Sequence, residues 1–231
     1  MTCQSPCFPK GNFSYNSSRA CTGLLLGAIN SAQAAEHLKS LTMPSDFFAL
    51  SAPEQLFVLI DLERMSRGVP PVVGLSPYLG TEATKAAHNS EDPTFHTAYG
   101  PVQVWAPPGG GAYAFGGAWA GNSVNSAAAV FEWFYDDGWG GPKGTWNFAC
   151  TSPSATGCWG HRDELLGEWA GAHCGDCVAG AGYASPAARG WLESYVFMVV
   201  RPVQFPTPLT FSWSGNVVPF LPAGWERASV P

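Results

Sequence analysis

The residues best suited to chemistry lie in one short stretch, Cys158-Trp-Gly-His-Arg-Asp-Glu-Leu-Leu-Gly-Glu168. Its pattern predicts a short helical turn in which Leu165 and Leu166 face the interior. Glycine tolerates tight backbone turns, so Gly160 should allow the imidazole of His161 to point into a cleft. Neutral imidazole is a common ligand of zinc, and neighbouring carboxylates orient such rings. His161 is therefore the first candidate for a functional side chain.

Other catalytic signatures are absent from the sequence. It contains no Gly-x-Ser-x-Gly elbow, no His-Glu-x-x-His pair, no phosphate-binding glycine loop and no dinucleotide-binding fingerprint. Cys174 and Cys177 have the spacing of a metal or redox pair, but no second such pair and no βαβ pattern accompanies them. A structural disulfide is the favoured interpretation, with a metal site as the alternative.

The cysteines indicate an oxidising compartment. They fall into three clusters, each able to close a local loop, which favours a secreted protein with disulfides. Cys150 and Cys158 flank a seven-residue loop and are predicted to pair with each other. Because the count is odd, one thiol is expected to be free or bonded to another chain. The seven positions are Cys3, Cys7, Cys21, Cys150, Cys158, Cys174 and Cys177.

The composition supports an extracellular, loop-rich domain. Charged residues make up 12% of the 231 residues, against roughly a quarter in average soluble chains. The net charge of -6 and the absence of Lys/Arg runs argue against nucleic acid and anionic membranes as partners. No apolar run approaches the ~20 residues of a membrane-spanning helix. The start at Met-Thr-Cys, without an apolar leader, suggests a mature form behind an added methionine.

Helices and short strands are expected to position the candidate residues. The clearest helix covers residues 52–67, where Ser51 and Glu54 form a capping box and the apolar residues lie nearly all round. A second helix should begin after Ser76 and end near His88. Further helices are expected over 24–41 and from Asn125 or Ser126 to Gly138, and strands over 102–105, 178–184, 194–200 and 209–213, with 101–117 otherwise a long connection.

The order of these features resembles the CAP superfamily of cysteine-rich secretory, antigen 5 and pathogenesis-related-1 proteins. The resemblance rests on Gly160-His-Arg-Asp-Glu-Leu-Leu166, the following Gly180-Ala-Gly182 strand, and the turn after Arg64 that reaches Gly68 and Pro70. It implies an α+β fold, a three-layer α-β-α sandwich over residues 51–201. Residues 1–50 would form a cysteine-tied arm and residues 202–231 a Pro-rich extension.

The resemblance also implies a cleft lined by two histidines and two acidic residues that binds a divalent metal. His161 matches one histidine, and His96 is the candidate for the other, with His88 as the alternative. Asp136, three residues after Trp133, matches one acid, with Glu132 and Asp137 as alternates. The family's second acid lies in a Gly-Glu-Asn turn, but residues 115–119 read Phe-Gly-Gly-Ala-Trp and carry no carboxylate.

Two functions follow from the resemblance. The first is a secreted binding protein whose cleft holds a divalent metal or a small apolar ligand. The second is a metal-assisted hydrolase of an extracellular polymer, in which His161 and His96 hold zinc and Asp136 acts on a bound water. The missing carboxylate favours binding, and lipids are further candidate partners. The tryptophans of residues 133–159 are expected to pack rather than to form a ligand platform.

Overall fold

The computed structural model describes residue 7 and residues 17–93, 95–97, 100–102, 104–105, 113–142, 144, 147–167, 175–200 and 208–225. Within these ranges the α-helices are α1 Arg19–Ala35, α2 Ala52–Ser66, α3 Pro77–Asn89, α4 Ser126–Tyr135 and α5 Gly160–Leu166. The strands are β1 Gly74–Leu75, β2 Phe95–Thr97, β3 Gly100–Val102, β4 Val104–Trp105, β5 Tyr113–Gly121, β6 Val178–Ala184, β7 Ser194–Val200 and β8 Phe211–Ser212.

The main sheet is mixed and has the strand order β4-β5-β7-β6-β1-β8. Strand β1 runs parallel to β6, whereas the other neighbours in this sheet are antiparallel. Strand β7 is central, since Met198 pairs with Gly117 of β5 on one side and with Gly180 of β6 on the other. Strands β2 and β3 form a separate hairpin. Helices together with a mixed sheet confirm the predicted α+β class.

The two faces of β7 supply two hydrophobic cores, as alternation of side chains along a strand requires. Val196, Met198 and Val200 pack with α3, and the opposite face packs with α2 and α4. Helix α3 lies close to β6 because Gly180 and Gly182 have no side chains, and a Cβ at either position would collide with the α3 backbone. Helices therefore cover both faces of the sheet.

Helix α2 is the most buried helix and fixes the position of α5. Its predicted capping box is confirmed: Glu54 Oε2 accepts a hydrogen bond of 2.7 Å from the Ser51 backbone N–H. Arg64, which is fully buried, donates from Nε to the Pro70 carbonyl at 2.9 Å and from Nη1 to the Leu165 carbonyl at 2.7 Å. The guanidinium thus joins α2 directly to the helix that carries His161.

Strand β5 is the main difference from the sequence-based expectation. Residues 101–117 were expected to be a connection with one short strand, whereas β5 begins at Tyr113 and pairs with β7 along Phe115 to Gly121. Its Gly and Ala residues have weak intrinsic strand preference. Pairing with a central strand and close packing of Gly117 against Pro93 stabilise it instead. Propensity alone does not reveal such a strand.

The remaining predicted elements are present with shifted ends. Helix α1 begins at Arg19, ahead of the expected residue 24, and α4 ends at Tyr135 rather than at Gly138. The strand-like patch over 209–213 corresponds to β8, which pairs with β1. No helix in the described ranges is both long and apolar enough to cross a membrane.

Two disulfides join cysteines within the described residues. Cys150 pairs with Cys158, which confirms the predicted local loop, and Cys7 pairs with Cys21 at the start of α1. Cys177 is also disulfide-bonded. Cys3 and Cys174 lie outside the described residues. The described cysteines are therefore those of an oxidised protein.

Candidate functional site

His161 is placed by a tight turn in front of α5. The residue with left-handed backbone geometry is Trp159, at φ 65°, so the expectation that Gly160 makes the turn is wrong. Trp159 is held there because its backbone N–H donates to the Asp137 carbonyl at 3.1 Å, and the Arg162 guanidinium lies 3.9 Å above its ring centre. This turn directs the first residues of α5 towards Asp137.

The carboxylate of Asp137 is the direct partner of His161. Its Oδ1 lies 2.7 Å from His161 Nδ1, and the Asp137 side chain is fully buried whereas that of His161 is 26% exposed. Burial by itself lowers the pKa of His161, but the hydrogen bond and the charges of Asp137, Asp92 and Glu164 together raise it above its usual value. The pair orients the imidazole and leaves Nε2 as the ring nitrogen for a ligand.

Asn147 also holds the Asp137 carboxylate in place. Its Nδ2 donates to Asp137 Oδ1 at 2.6 Å and to the Gly157 carbonyl at 2.5 Å. The Arg162 backbone N–H donates to the other Asp137 oxygen at 3.3 Å. Gly157 lies within the loop closed by the Cys150–Cys158 disulfide, and Asn147 lies just ahead of it. The disulfide loop therefore supports the buried carboxylate that orients His161.

Two carboxyl groups from other elements accept hydrogen bonds from the backbone of β5 near residues 115–119, which carry no carboxylate of their own. Glu164 Oε2 accepts a hydrogen bond of 2.8 Å from the Gly117 backbone N–H of β5, and Asp92 accepts one from the Trp119 backbone. Burial raises the pKa of Glu164, against the hydrogen bond from Gly117 and the charge of His161. Crowding by protein atoms likewise raises the pKa of Asp92, against the charge of His161. The backbone of β5 therefore lies against two carboxyl groups that come from other parts of the chain.

Glu132 of α4 is a further carboxyl group close to His161. Its Oε2 accepts a hydrogen bond of 2.6 Å from the Ser123 hydroxyl. Burial raises the pKa of Glu132 to about 7; the Ser123 hydrogen bond lowers it, the Asp136 charge raises it and the His161 charge lowers it. Glu132 therefore changes its charge near neutral pH.

These groups surround a pocket of about 250 Å³, called here the His161 pocket. Four aromatic residues contribute to its walls, and its polar groups come from α4, α5, the turn after α3 and Asn147 in the loop after α4. Phe148 stands at the pocket with 80% of its surface exposed. The described lining residues are Asp92, Trp119, Ala120, Gly121, Glu132, Trp133, Asn147, Phe148, Ala149, His161 and Trp191.

The structure brings together some of the sequence-predicted site residues. His161 and the alternate Glu132 line the pocket, and the alternate Asp137 bonds His161. Asp136 is the C-cap residue of α4 and is not among the described lining residues. The His96 backbone lies in β2, but its side chain falls outside the described part of the chain. His88 lines a separate open groove on α3.

Sequence reasoning missed Asp92, Trp119 and Trp191. Asp92 follows the end of α3, where Glu91-Asp92-Pro93 reads as an ordinary turn. Trp119 lies in the unpredicted strand β5. Trp133 was expected to pack, and it does so with 2% exposure while also lining the pocket. The one sequence feature that could have indicated Trp119 is an alternation of side chains along residues 115–121, as expected for a strand.

The residues described do not by themselves make a metal centre. Within the described ranges, no group of three or more His, Cys, Asp or Glu side chains is arranged to hold a metal ion. The Asp137–His161 hydrogen bond does fit the outer contact that zinc-bound histidines usually have. One imidazole with an orienting carboxylate is only part of a ligand set, so no chemical step is assigned to zinc.

Comparison of the chain with protein-family models, curated proteins and solved structures gives no match.

Proposed function

We propose that this chain is a secreted binding protein of the CAP type and that the His161 pocket takes a small, largely apolar ligand. The observation that carries the proposal is the pocket itself. It combines aromatic walls with an oriented histidine and a few carboxyl groups, which is the usual composition of small-molecule sites. At about 250 Å³ it lies just below the roughly 300–1,000 Å³ of pockets for drug-sized ligands.

The CAP assignment is supported by the fold as well as by the sequence order. Helices lie on both faces of a mixed sheet, consistent with a three-layer α-β-α sandwich. His161 opens α5 ahead of the Gly180-Ala-Gly182 strand, in the order that the resemblance requires. The disulfides support secretion, because such bonds persist in oxidising compartments.

Binding of benzyl alcohol, a small neutral aromatic probe, tests the proposal. Titration followed by tryptophan fluorescence should saturate, because Trp119, Trp133 and Trp191 line the pocket. Phe148→Ala should weaken binding by roughly two- to tenfold, the range of one lost aromatic contact. Phe220→Ala removes another partly exposed phenylalanine, outside the pocket lining, and should bind as the wild type does. Equal losses in both variants, or no saturable signal with this probe and with choline, a small methylated cation, would contradict the proposal.

The metal-assisted hydrolase is the alternative function, and the observation that favours it is the Asp137–His161 hydrogen bond. It requires zinc held by His161 and His96, with Asp136 acting on a bound water. Calorimetric titration of zinc into the wild type and into His161→Ala tests it. Binding that the substitution removes would support the alternative, and equal affinity in both proteins would rule out His161 as a ligand.

A further inference from the structure

The aromatic residues of the His161 pocket form a corner rather than a single wall. Trp119 and Trp191 meet edge to face, with ring centres 5.7 Å apart and planes at 84°. Trp133 and Phe148 add two further rings to the lining. Several rings around one small space are the arrangement by which proteins hold substituted ammonium groups, since the ring faces attract positive charge.

The indole N–H groups of two of these rings are already used within the protein. Trp119 Nε1 donates to Ser194 Oγ at 2.8 Å, and Trp133 Nε1 donates to the Trp119 carbonyl at 3.1 Å. These two indole N–H groups are therefore not available to donate a hydrogen bond to a ligand. A ligand that depends on accepting hydrogen bonds therefore finds no donor in these two rings.

The charge of the pocket has the sign that suits a cation. Glu132 and Asp92 contribute carboxylates to the lining, and Glu164 lies close enough to affect the pKa of His161. His161 is the basic residue among the described lining residues, and its Nδ1 is paired with the buried carboxylate of Asp137. Any positive charge on His161 is therefore balanced, and above about pH 7, where Glu132 is ionised, its carboxylate leaves the pocket negative.

We infer that the ligand of the His161 pocket is a small organic cation, with a substituted ammonium group among Trp119, Trp133 and Trp191 and beside the carboxylates of Glu132 and Asp92. The inference rests on the proposed binding function and names its ligand class. Both contributions act on the same group: aromatic rings accommodate its apolar surface, and the carboxylates complement its charge. A neutral ligand of the same shape would use only the first contribution.

Choline and its neutral isostere 3,3-dimethylbutan-1-ol provide a direct test, because they differ in the charge of one central atom. Each is titrated into the full chain by calorimetry at about pH 8, where the Glu132 carboxyl is ionised. Choline should bind about tenfold more tightly than the isostere or better. Benzyl alcohol is included as the neutral aromatic probe.

Glu132→Gln separates charge from shape at the same position. The glutamine carbonyl can still accept the Ser123 hydrogen bond, so the local fold should be kept. We expect the variant to lose about tenfold in choline affinity and to bind the isostere unchanged. Glu82→Gln, a carboxylate of α3 outside the pocket lining, is the matched control and should bind both compounds as the wild type does.

The outcomes distinguish the inference from the proposed function. If choline binds more tightly than its isostere and Glu132→Gln removes this difference, both the cation inference and the binding function are supported. Equal binding of choline and its isostere overturns the cation inference while the binding function stands. If neither binds but benzyl alcohol does, the cation inference is again overturned alone. If none of the three compounds binds, both are overturned.

Discussion

At the scale of single residues, the partner of His161 is one of two adjacent aspartates. Its spacing of three residues from Trp133 made Asp136 the sequence-based candidate for the site. The carboxylate that lies 2.7 Å from His161 nevertheless belongs to Asp137. Asp136 ends up as the C-cap of α4, because the helix stops at Tyr135. The chain turns there, and Asp137 is directed to the buried side.

The Asp137–His161 pair should be visible in the titration of the histidine. Asp137→Asn removes the charge that helps to raise the pKa of His161, so this pKa should fall below its wild-type value. Nuclear magnetic resonance of the ring protons measures it. Asp136→Asn is the matched control and should leave the pKa of His161 much closer to that of the wild type. If the pKa of His161 falls further in Asp136→Asn than in Asp137→Asn, then Asp137 is not the partner of His161.

Glu132 should make stability depend on pH in a defined window. Burial raises its folded pKa to about 7 from 4.5, so between these values the unfolded chain loses a proton that the folded chain keeps. The contribution of Glu132 to the free energy of unfolding is therefore complete below about pH 4.5 and is lost as pH rises towards about 7. Relative to Glu132→Gln, the wild type should lose about 1–3 kcal/mol between about pH 5 and pH 8.

Urea unfolding of both proteins at the two pH values measures this difference. Subtracting the free energy of unfolding of the variant from that of the wild type removes the contributions of groups that titrate in both proteins. A wild type that gains stability over the Glu132→Gln variant as pH rises would show that the carboxyl is ionised and well compensated in the folded state.

At the scale of elements, α2 is the helix around which the others pack. Ile60 is fully buried, so Ile60→Ala should lower the free energy of unfolding by about 2–5 kcal/mol. Leu24 lies on α1 and is 51% exposed, so Leu24→Ala should change it by less than about 1 kcal/mol. Chemical denaturation of both variants compares them. Similar losses of unfolding free energy in Ile60→Ala and Leu24→Ala would contradict the burial of α2.

The Cys150–Cys158 loop is the element that supports the pocket from outside. Replacing both cysteines by serine should cost roughly 2–3 kcal/mol by chain entropy. It should also weaken ligand binding, because Asn147 and Phe148 lie just ahead of the bridge. Peptide mapping of the unreduced protein verifies the pairing. A free thiol at either position, or a link from either to another cysteine, would contradict it.

Most helices were predictable from sequence, whereas one strand and part of the site were not. Capping signals at Ser51, Ser76 and Asn125 mark helix starts through local chemistry, and these starts are observed. Strand β5 forms only because β7 lies beside it, which no local signal encodes. The same holds for the site: His161 has a recognisable local motif, but its neighbours Asp92 and Trp119 reach it through tertiary packing.

At the scale of the whole molecule, an oxidised α+β fold carries the aromatic pocket around His161. The sheet carries Trp119 on β5 and places Trp191 just before β7, while α4 and α5 contribute Glu132 and His161. No single element contains the pocket, so it exists only in the folded chain. Ligand binding should therefore stabilise the protein against unfolding, increasingly so as the ligand concentration rises.

The space around His161 should behave as a ligand site when a ligand is added. Assigned amide and indole resonances of isotope-labelled protein, followed during addition of choline, show whether it does. We predict saturable shifts at the indoles of Trp119, Trp133 and Trp191 and at His161, with resonances of α1 unchanged. Saturable shifts confined to other regions, or no shifts at these four residues with either choline or benzyl alcohol, would contradict it.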